Sequence, residues 1–336
     1  MHTNIKSGYL YWQFLVLMCI LSIQESILHA IPSAITYQLG DRLGDNLAAY
    51  CHARWLSYLH KLDFVYVPFK ESDKFVFSLG YRPITDAKND FKRLLKLQRY
   101  GPKINARDLI FQKEDMLYRV PYFAETHYDA VREGLVHFDI DWDDEDFMKI
   151  LRSEISLINP LPKIDLPKDR ITVAVHVRRG SGKDRSRYDK TTPKLEGSYS
   201  IEKFPLRFPH DTFFIEHIKR LSEMLNDKPM YVHIFTDDKN APLLIEKYAR
   251  EVGKSNIVYN SRSNQLNHED YVLQDFFDIM SFDCIIRPES HYSLISSRLS
   301  HARIVIRPEE FLWKGRDLII TKAETILKKS HSQEIQ

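Results

Sequence analysis

Between residues 171 and 307, short apolar runs alternate with amphipathic stretches, and no other feature of the chain narrows its fold so far. Ile171–His176, Tyr231–Phe235, Ile257–Tyr259, Cys284–Arg287 and Arg303–Arg307 read as strands. Thr212–Leu225, Leu243–Glu251, Tyr271–Phe282 and the stretch after Ser290 read as helices. Strand alternating with helix implies a parallel sheet covered on both faces, and ligands of such sheets bind at the carboxyl ends of the strands. Upstream, NPLPKIDLPKD (Asn159–Asp169) interrupts the chain with three prolines and marks a domain linker. Before it, Ile35–Leu39 leads through GDRLGDN into an amphipathic helix over Leu47–His60 and a strand over Phe64–Val67. Near Asp143, DDEDFMKILRSEI has the carboxylates and apolar spacing of a capped helix. The expected class is α/β, with an N-terminal α/β domain over 31–165, a C-terminal Rossmann-like domain over 166–330 and a polar tail over 331–336.

A chain of 336 residues accommodates two ordinary domains, and 43% hydrophobic residues suffice for real cores. A formal net charge of +2 provides no global basic field, so nucleic acid is not an expected partner and any anion site must be local. Cys19, Cys51 and Cys284 are odd in number and far apart, which excludes a disulfide framework or a cysteine zinc site. The apolar run Tyr9–Ile23 is short for a membrane span. Residues 1–30 are expected to be a signal peptide or a membrane anchor, which directs the chain to the secretory pathway.

Three constellations carry chemistry. In HVRRGSGK, Val177 and Asp184 break the pattern of a nucleotide P-loop. What remains is Arg178 and Arg179 at a strand end, where guanidinium forks match phosphate oxygens and keep their charge. Surface ion pairing is the plainer alternative. In FTDD, Asp237 stands closest to the strand end, and Asp238 suits helix capping. In ESHYS, Ser290, His291, Tyr292 and Ser293 open a helix directly after a strand, a natural seat for phosphate or simply a serine cap.

Taken in order, HVRRG, FTDD and the spacing from Asp275 to Ser290 resemble the fucosyltransferase superfamily that forms α1,2 and α1,6 linkages, including its protein O-fucosylating and rhizobial chitin-fucosylating relatives. LGDRLGDNLAAYCHARWL (Leu39–Leu56) resembles the glycine loop and helix that open the α1,2 enzymes. The resemblance implies a GT-B-like fold of two Rossmann-like domains facing across a cleft. It implies an inverting transfer of fucose from GDP-fucose to a glycan or glycoconjugate hydroxyl, with no metal and no cofactor. It implies that Arg178 contacts the diphosphate as the essential residue, that Arg179 supports it and that His176 lines the donor pocket. Asp275 would read guanine, Ser290 to Ser293 would meet the β-phosphate, and Asp237 would lie in a donor-side loop.

The chain departs from that pattern after the arginines, where Gly180-Ser181 replaces a residue and an aspartate. Asp184, Asp189 and Glu196 lie in the loop that would supply a general base, with Asp184 the first choice. Two other readings compete. FDIDWDDED (Phe138–Asp146) contains the DxD of metal-dependent glycosyltransferases, although acidic residues are also expected at a helix start. A non-catalytic sugar-nucleotide or glycan-binding protein would keep the arginines and lack the base.

Overall fold

The computed structural model describes residues 31–97, 105–122, 140–179, 204–238, 240–262, 271–315 and 317–328. Two sheets are formed by these residues. The first contains β1 (Ala34–Tyr37), β2 (Asp63–Tyr66), β3 (Arg82–Pro83), β4 (Arg93–Lys96) and β5 (Met116–Val120), in the order β3-β2-β1-β5-β4. All of its pairings are parallel. The helices of this half are α1 (Leu43–His60), the short turns α2 (Phe77–Gly80) and α3 (Ile84–Ala87), and α4 (Glu145–Glu154).

The second sheet contains β6 (Ile171–Val177), β7 (Met230–Thr236), β8 (Ile257–Ser261), β9 (Cys284–Ile286), β10 (Ile304–Lys314) and β11 (Asp317–Leu327), in the order β11-β10-β9-β6-β7-β8. Its helices are α5 (Asp211–Met224), α6 (Ala241–Val252), α7 (Val272–Ile279) and α8 (His291–Leu299). Numbered from β6, the parallel strands run 3-2-1-4-5, the Rossmann order, and the direction of winding reverses between β6 and β9. Val173, Val175 and Val177 point into one core and Ala174 into another, as expected of a strand covered on both faces.

The sheet is not wholly parallel. The sequence reading ended the last strand at Arg307, but β10 continues to Lys314, turns at Gly315 (φ +63°) and returns antiparallel as β11. Beyond Ile306, β11 is the only strand partner of β10 among the described residues. Register shifts between Pro308 and Phe311 interrupt the ladder, and the part of the hairpin beyond them is the arm.

The two halves share their packing. The core around α1 includes Leu273 and Phe276 from α7 and Ile295 and Leu299 from α8. Arg152 of α4 donates through Nε to the Leu299 carbonyl at 3.1 Å. At the far end of α8, Lys328 Nζ donates to the carbonyls of Ser297 (2.6 Å) and Ser300 (3.1 Å). Helix α8 is therefore capped at its C-terminus by a lysine, and its N-terminus faces the site described next.

Candidate functional site

Arg178 follows β6 and Ser290 follows β9, so the two residues flank the point where the winding of the second sheet reverses. Arg178 Nη1 donates to Ser290 Oγ at 3.4 Å. Ser290 occupies the N-cap of α8 but makes no side-chain capping bond, so its hydroxyl is directed at the arginine instead of the helix amides. The Arg178 guanidinium also lies 5.8 Å from the centroid of Phe208, within the range of a cation–π contact. Phe208 belongs to a short segment anchored next to α8, because Glu289 N donates to the Leu206 carbonyl at 2.9 Å.

Arg179 turns elsewhere. Successive residues past a strand point to opposite sides, and its Nη2 donates to Asp211 at the start of α5 while its Nε lies 3.6 Å from Asp238. Lys247 (2.6 Å) and Tyr248 (2.9 Å) complete the ring of donors to Asp211. Burial opposes ionisation of Asp211, yet the Arg179 charge and these hydrogen bonds hold its pKa below the ordinary carboxylate value. The two adjacent arginines therefore do not converge. Arg178 serves the crevice, and Arg179 ties β6 to α5 and α6.

The carboxyl end of the first sheet meets the same crevice. Gly44, in the first turn of α1, lies against the start of α8, where an added Cβ would come within 2.4 Å of Tyr292 N. Asp45 Oδ1 receives His291 Nδ1 at 2.7 Å and the Tyr122 hydroxyl at 2.8 Å. Burial would raise the pKa of Asp45, but the hydrogen bond and charge of His291, the Tyr122 bond and the nearby Arg207 charge hold it well below the usual carboxylate range. An ionised Asp45 fixes the His291 proton on Nδ1. The opposite nitrogen, Nε2, is buried and has no hydrogen-bond partner among the described residues. Asp45, Tyr122 and Arg207 were not identified by the sequence reading, since they join segments far apart in the chain.

The other expected residues are placed as follows. The rings of His176 and Tyr292 are 5.5 Å apart, and Tyr292 Oη donates to the Val272 carbonyl at 2.6 Å. Ser293 is fully buried and its hydroxyl donates back to the Ser290 carbonyl at 3.4 Å. Asp237 accepts from the Arg179 backbone N–H at 2.5 Å, which closes the turn after β7 onto the end of β6. Asp275 lies in α7, and its Oδ1 accepts from Arg262 Nε at 2.7 Å. The same guanidinium reaches Asp278 at 2.8 Å and stacks on Tyr271. A guanine-reading role for Asp275 thus falls to a carboxylate already bonded to Arg262. Asp184, Asp189 and Glu196 lie outside the described residues.

In the acidic FDIDWDDED run, Asp144 accepts from Phe147 N at 3.0 Å as the N-cap of α4, and Asp141 accepts from Asp143 N at 3.1 Å. These carboxylates carry out the helix-start role that their sequence position allows. Among the described residues, no group of three or more His, Cys, Asp and Glu side chains gathers as a metal would require. Cys51 and Cys284 are buried, and burial pushes the Cys284 pKa up to about 12. No described helix is long and apolar enough to cross a membrane, and the Tyr9–Ile23 run lies outside the described residues.

No protein-family model and no curated protein matches the sequence. Similar solved structures do exist. The fucosyltransferase NodZ from Bradyrhizobium aligns over 88% of this chain and 98% of its own, with 11% identity and a TM-score of 0.44. POFUT1 in complex with GDP-fucose aligns over 81% of this chain and 94% of its own, with 11% identity and a TM-score of 0.42. An Arabidopsis thaliana FUT1 variant in complex with GDP aligns over 83% and 71%, with 12% identity and a TM-score of 0.42.

Proposed function

We propose that this chain is a glycosyltransferase that draws its sugar from a nucleotide diphosphate donor, and specifically an inverting, metal-independent fucosyltransferase acting from GDP-fucose on a glycan or glycoconjugate hydroxyl. One observation carries the reading. Arg178, from the HVRRG motif, lies 3.4 Å from Ser290 Oγ at the first turn of α8, on the winding reversal of a Rossmann sheet. That combination offers a departing diphosphate a guanidinium fork, a hydroxyl and helix N–H groups at once.

The chemistry follows from charge. As the acceptor oxygen bonds to the anomeric carbon, the bond from that carbon to the β-phosphate oxygen breaks and its electron pair leaves with the diphosphate. Attack from the opposite face inverts the centre. Arg178 stabilises the negative charge that grows on the leaving group, the effect by which prearranged donors contribute most to catalysis. The proton lost by the acceptor hydroxyl requires a base, and the loop containing Asp184 is where one is sought. The first sheet reaches the crevice through Asp45 and Tyr122, which supports an acceptor bound on that side. The apolar run at 9–23 would place the chain in the secretory pathway, where glycan acceptors are found.

The test is a nucleotide panel. GDP should raise the melting temperature well above the shifts from UDP, CMP and ADP, since a ligand at about 100 times its Kd adds roughly 2.7 kcal/mol. Equal shifts from all four would remove the guanine preference. GDP binding with neither transfer to any acceptor nor hydrolysis of the donor would leave a sugar-nucleotide-binding protein in place of an enzyme. Activity lost with chelator and restored with manganese would contradict the metal-independent mechanism.

A further inference from the structure

The outer part of the β10–β11 hairpin contributes little to the sheet from which it projects. Strand β9 pairs with β10 only over Ile304–Ile306, so residues 311–314 and 317–320 form a two-stranded ribbon without a third strand among the described residues. Such a ribbon is marginal in water unless it packs on something. Its inner face carries the cross-strand pairs Phe311–Ile320 and Trp313–Leu318, and these residues pack on Phe208. Phe208 and Leu318 are 1% and 4% exposed. The next cross-strand pair, Leu312–Ile319, faces away and is 45% and 38% exposed. Ile320 also packs on the main core of the second sheet, whereas Leu318 is buried against Phe208, the ring beneath the Arg178 guanidinium.

From this chain of contacts we infer that the β10–β11 arm is a positioning element of the active site: Leu318 holds the Phe208 ring, and the ring holds Arg178 in line with Ser290. The inference rests on the donor-binding reading of Arg178 given above. Phe208 is fixed from two directions, by Leu318 of the arm and by the Leu206–Glu289 backbone bond. The backbone bond sets the position of the segment. The apolar contact sets the angle of the ring. Arg178 has long rotatable bonds, and aromatic stacking removes much of that freedom before any substrate arrives. Leu318 and Phe208 touch no reacting atom in this scheme and act through Arg178.

Leu318→Ala shortens the side chain beneath the ring and should lower turnover roughly tenfold, since small misplacements of a reacting group are costly. GDP affinity should change far less, while the melting temperature should fall because a buried leucine is truncated. Leu318→Met, which refills the space, should restore turnover, and Ile319→Ala on the outer face should leave it unchanged. In an Arg178→Lys background, Leu318→Ala should have no further effect on rate. A separate cycle needs no ligand: the melting-temperature losses of Leu318→Ala and Arg178→Lys should fail to add by about 2 °C in the double variant. Additive losses in both cycles, or equal losses of turnover from Leu318→Ala and Ile319→Ala, would overturn the positioning role. Wild-type protein that bound no GDP would instead remove the donor reading, and the stability cycle would still decide whether the arm holds Arg178.

Discussion

His291 Nδ1 donates to Asp45 Oδ1 at 2.7 Å, across 246 positions of sequence, and so joins the first turn of α8 to the first turn of α1. Each helix starts at the carboxyl end of its own sheet, so this single bond brings two sheet ends together. It also places an anion between two positively polarised helix termini.

Asp45→Asn should destabilise the protein at neutral pH by about 2 kcal/mol, because it leaves His291 and Tyr122 facing a poorer acceptor in a largely buried place. The folded pKa of Asp45 lies below its ordinary value, so its stabilisation is complete above the ordinary carboxylate range and fades only below it. Unfolding measured at neutral pH and again near about pH 3 should therefore show the gap between variant and wild type narrowing on acidification. A gap that is constant or widens would mean that Asp45 is not held as an anion.

Gly44→Ala sets two effects against each other. Inside a helix the change normally gains about 1 kcal/mol. Here the new Cβ would meet Tyr292 N at 2.4 Å and the Tyr292 Cα at 2.6 Å, both backbone atoms that cannot step aside. The clash should win, for a net loss of roughly 1–3 kcal/mol. Thermal melts would register the outcome, and a stabilised variant would show that α1 and α8 are not in close contact.

Arg178 and Arg179 should separate cleanly. Arg178→Lys keeps the charge and loses the fork, and should reduce turnover about 10²–10³-fold while lowering stability far less than Arg179→Ala. Arg179→Ala strands the buried Asp211 carboxylate with fewer partners, and should cost roughly 3 kcal/mol of stability. Turnover assays combined with melting curves of both variants would distinguish these outcomes. Identical behaviour would contradict the division of labour seen between the crevice and α5.

His233 governs part of the acid response. Burial, followed by the nearby Arg262 charge, pushes its pKa down from 6.5 to about 4. A base with a depressed folded pKa binds fewer protons in the native state than in the unfolded state, so stability falls as pH drops through that window. The loss approaches about 1.4 kcal/mol per pH unit for this one group. His233→Phe should flatten the stability profile between those two values. A profile unchanged by the substitution would place the acid sensitivity elsewhere.

The second sheet was legible because its strands are mostly apolar and its helices are periodic, so β6–β9 and α5–α8 fall close to their expected bounds. The hairpin was not, since EEFLWK and LIITKAET follow Pro308 and mix polar with apolar residues on a half-exposed ribbon. Strands β3 and β4 escaped notice for a related reason: β3 has only two residues, and β4 is exposed along its whole length. Helix α1 begins at Leu43 instead of Leu47, because two glycines made GDRLGD read as loop although Gly44 serves a close helix contact. At the site, Arg178 and Ser290, singled out from separate motifs, lie within 3.4 Å of each other. The opposite directions of Arg178 and Arg179 follow from strand pleating and were open to the same reasoning. Asp45, although inside the LGDRLGDN stretch, and Arg207 were not, since each gains its role only through tertiary contact.

The sharing of α7 and α8 between the two halves has a consequence for biogenesis. Leu273, Phe276, Ile295 and Leu299 belong to the core around α1, yet they are translated more than 200 residues after that helix starts. A nascent chain ending at the proline-rich linker would expose the apolar surface these residues cover, and such surfaces invite aggregation or chaperone capture. The first half to leave the ribosome is thus the last to be completed, and a protein cut at the linker should yield a soluble second half more readily than a soluble first.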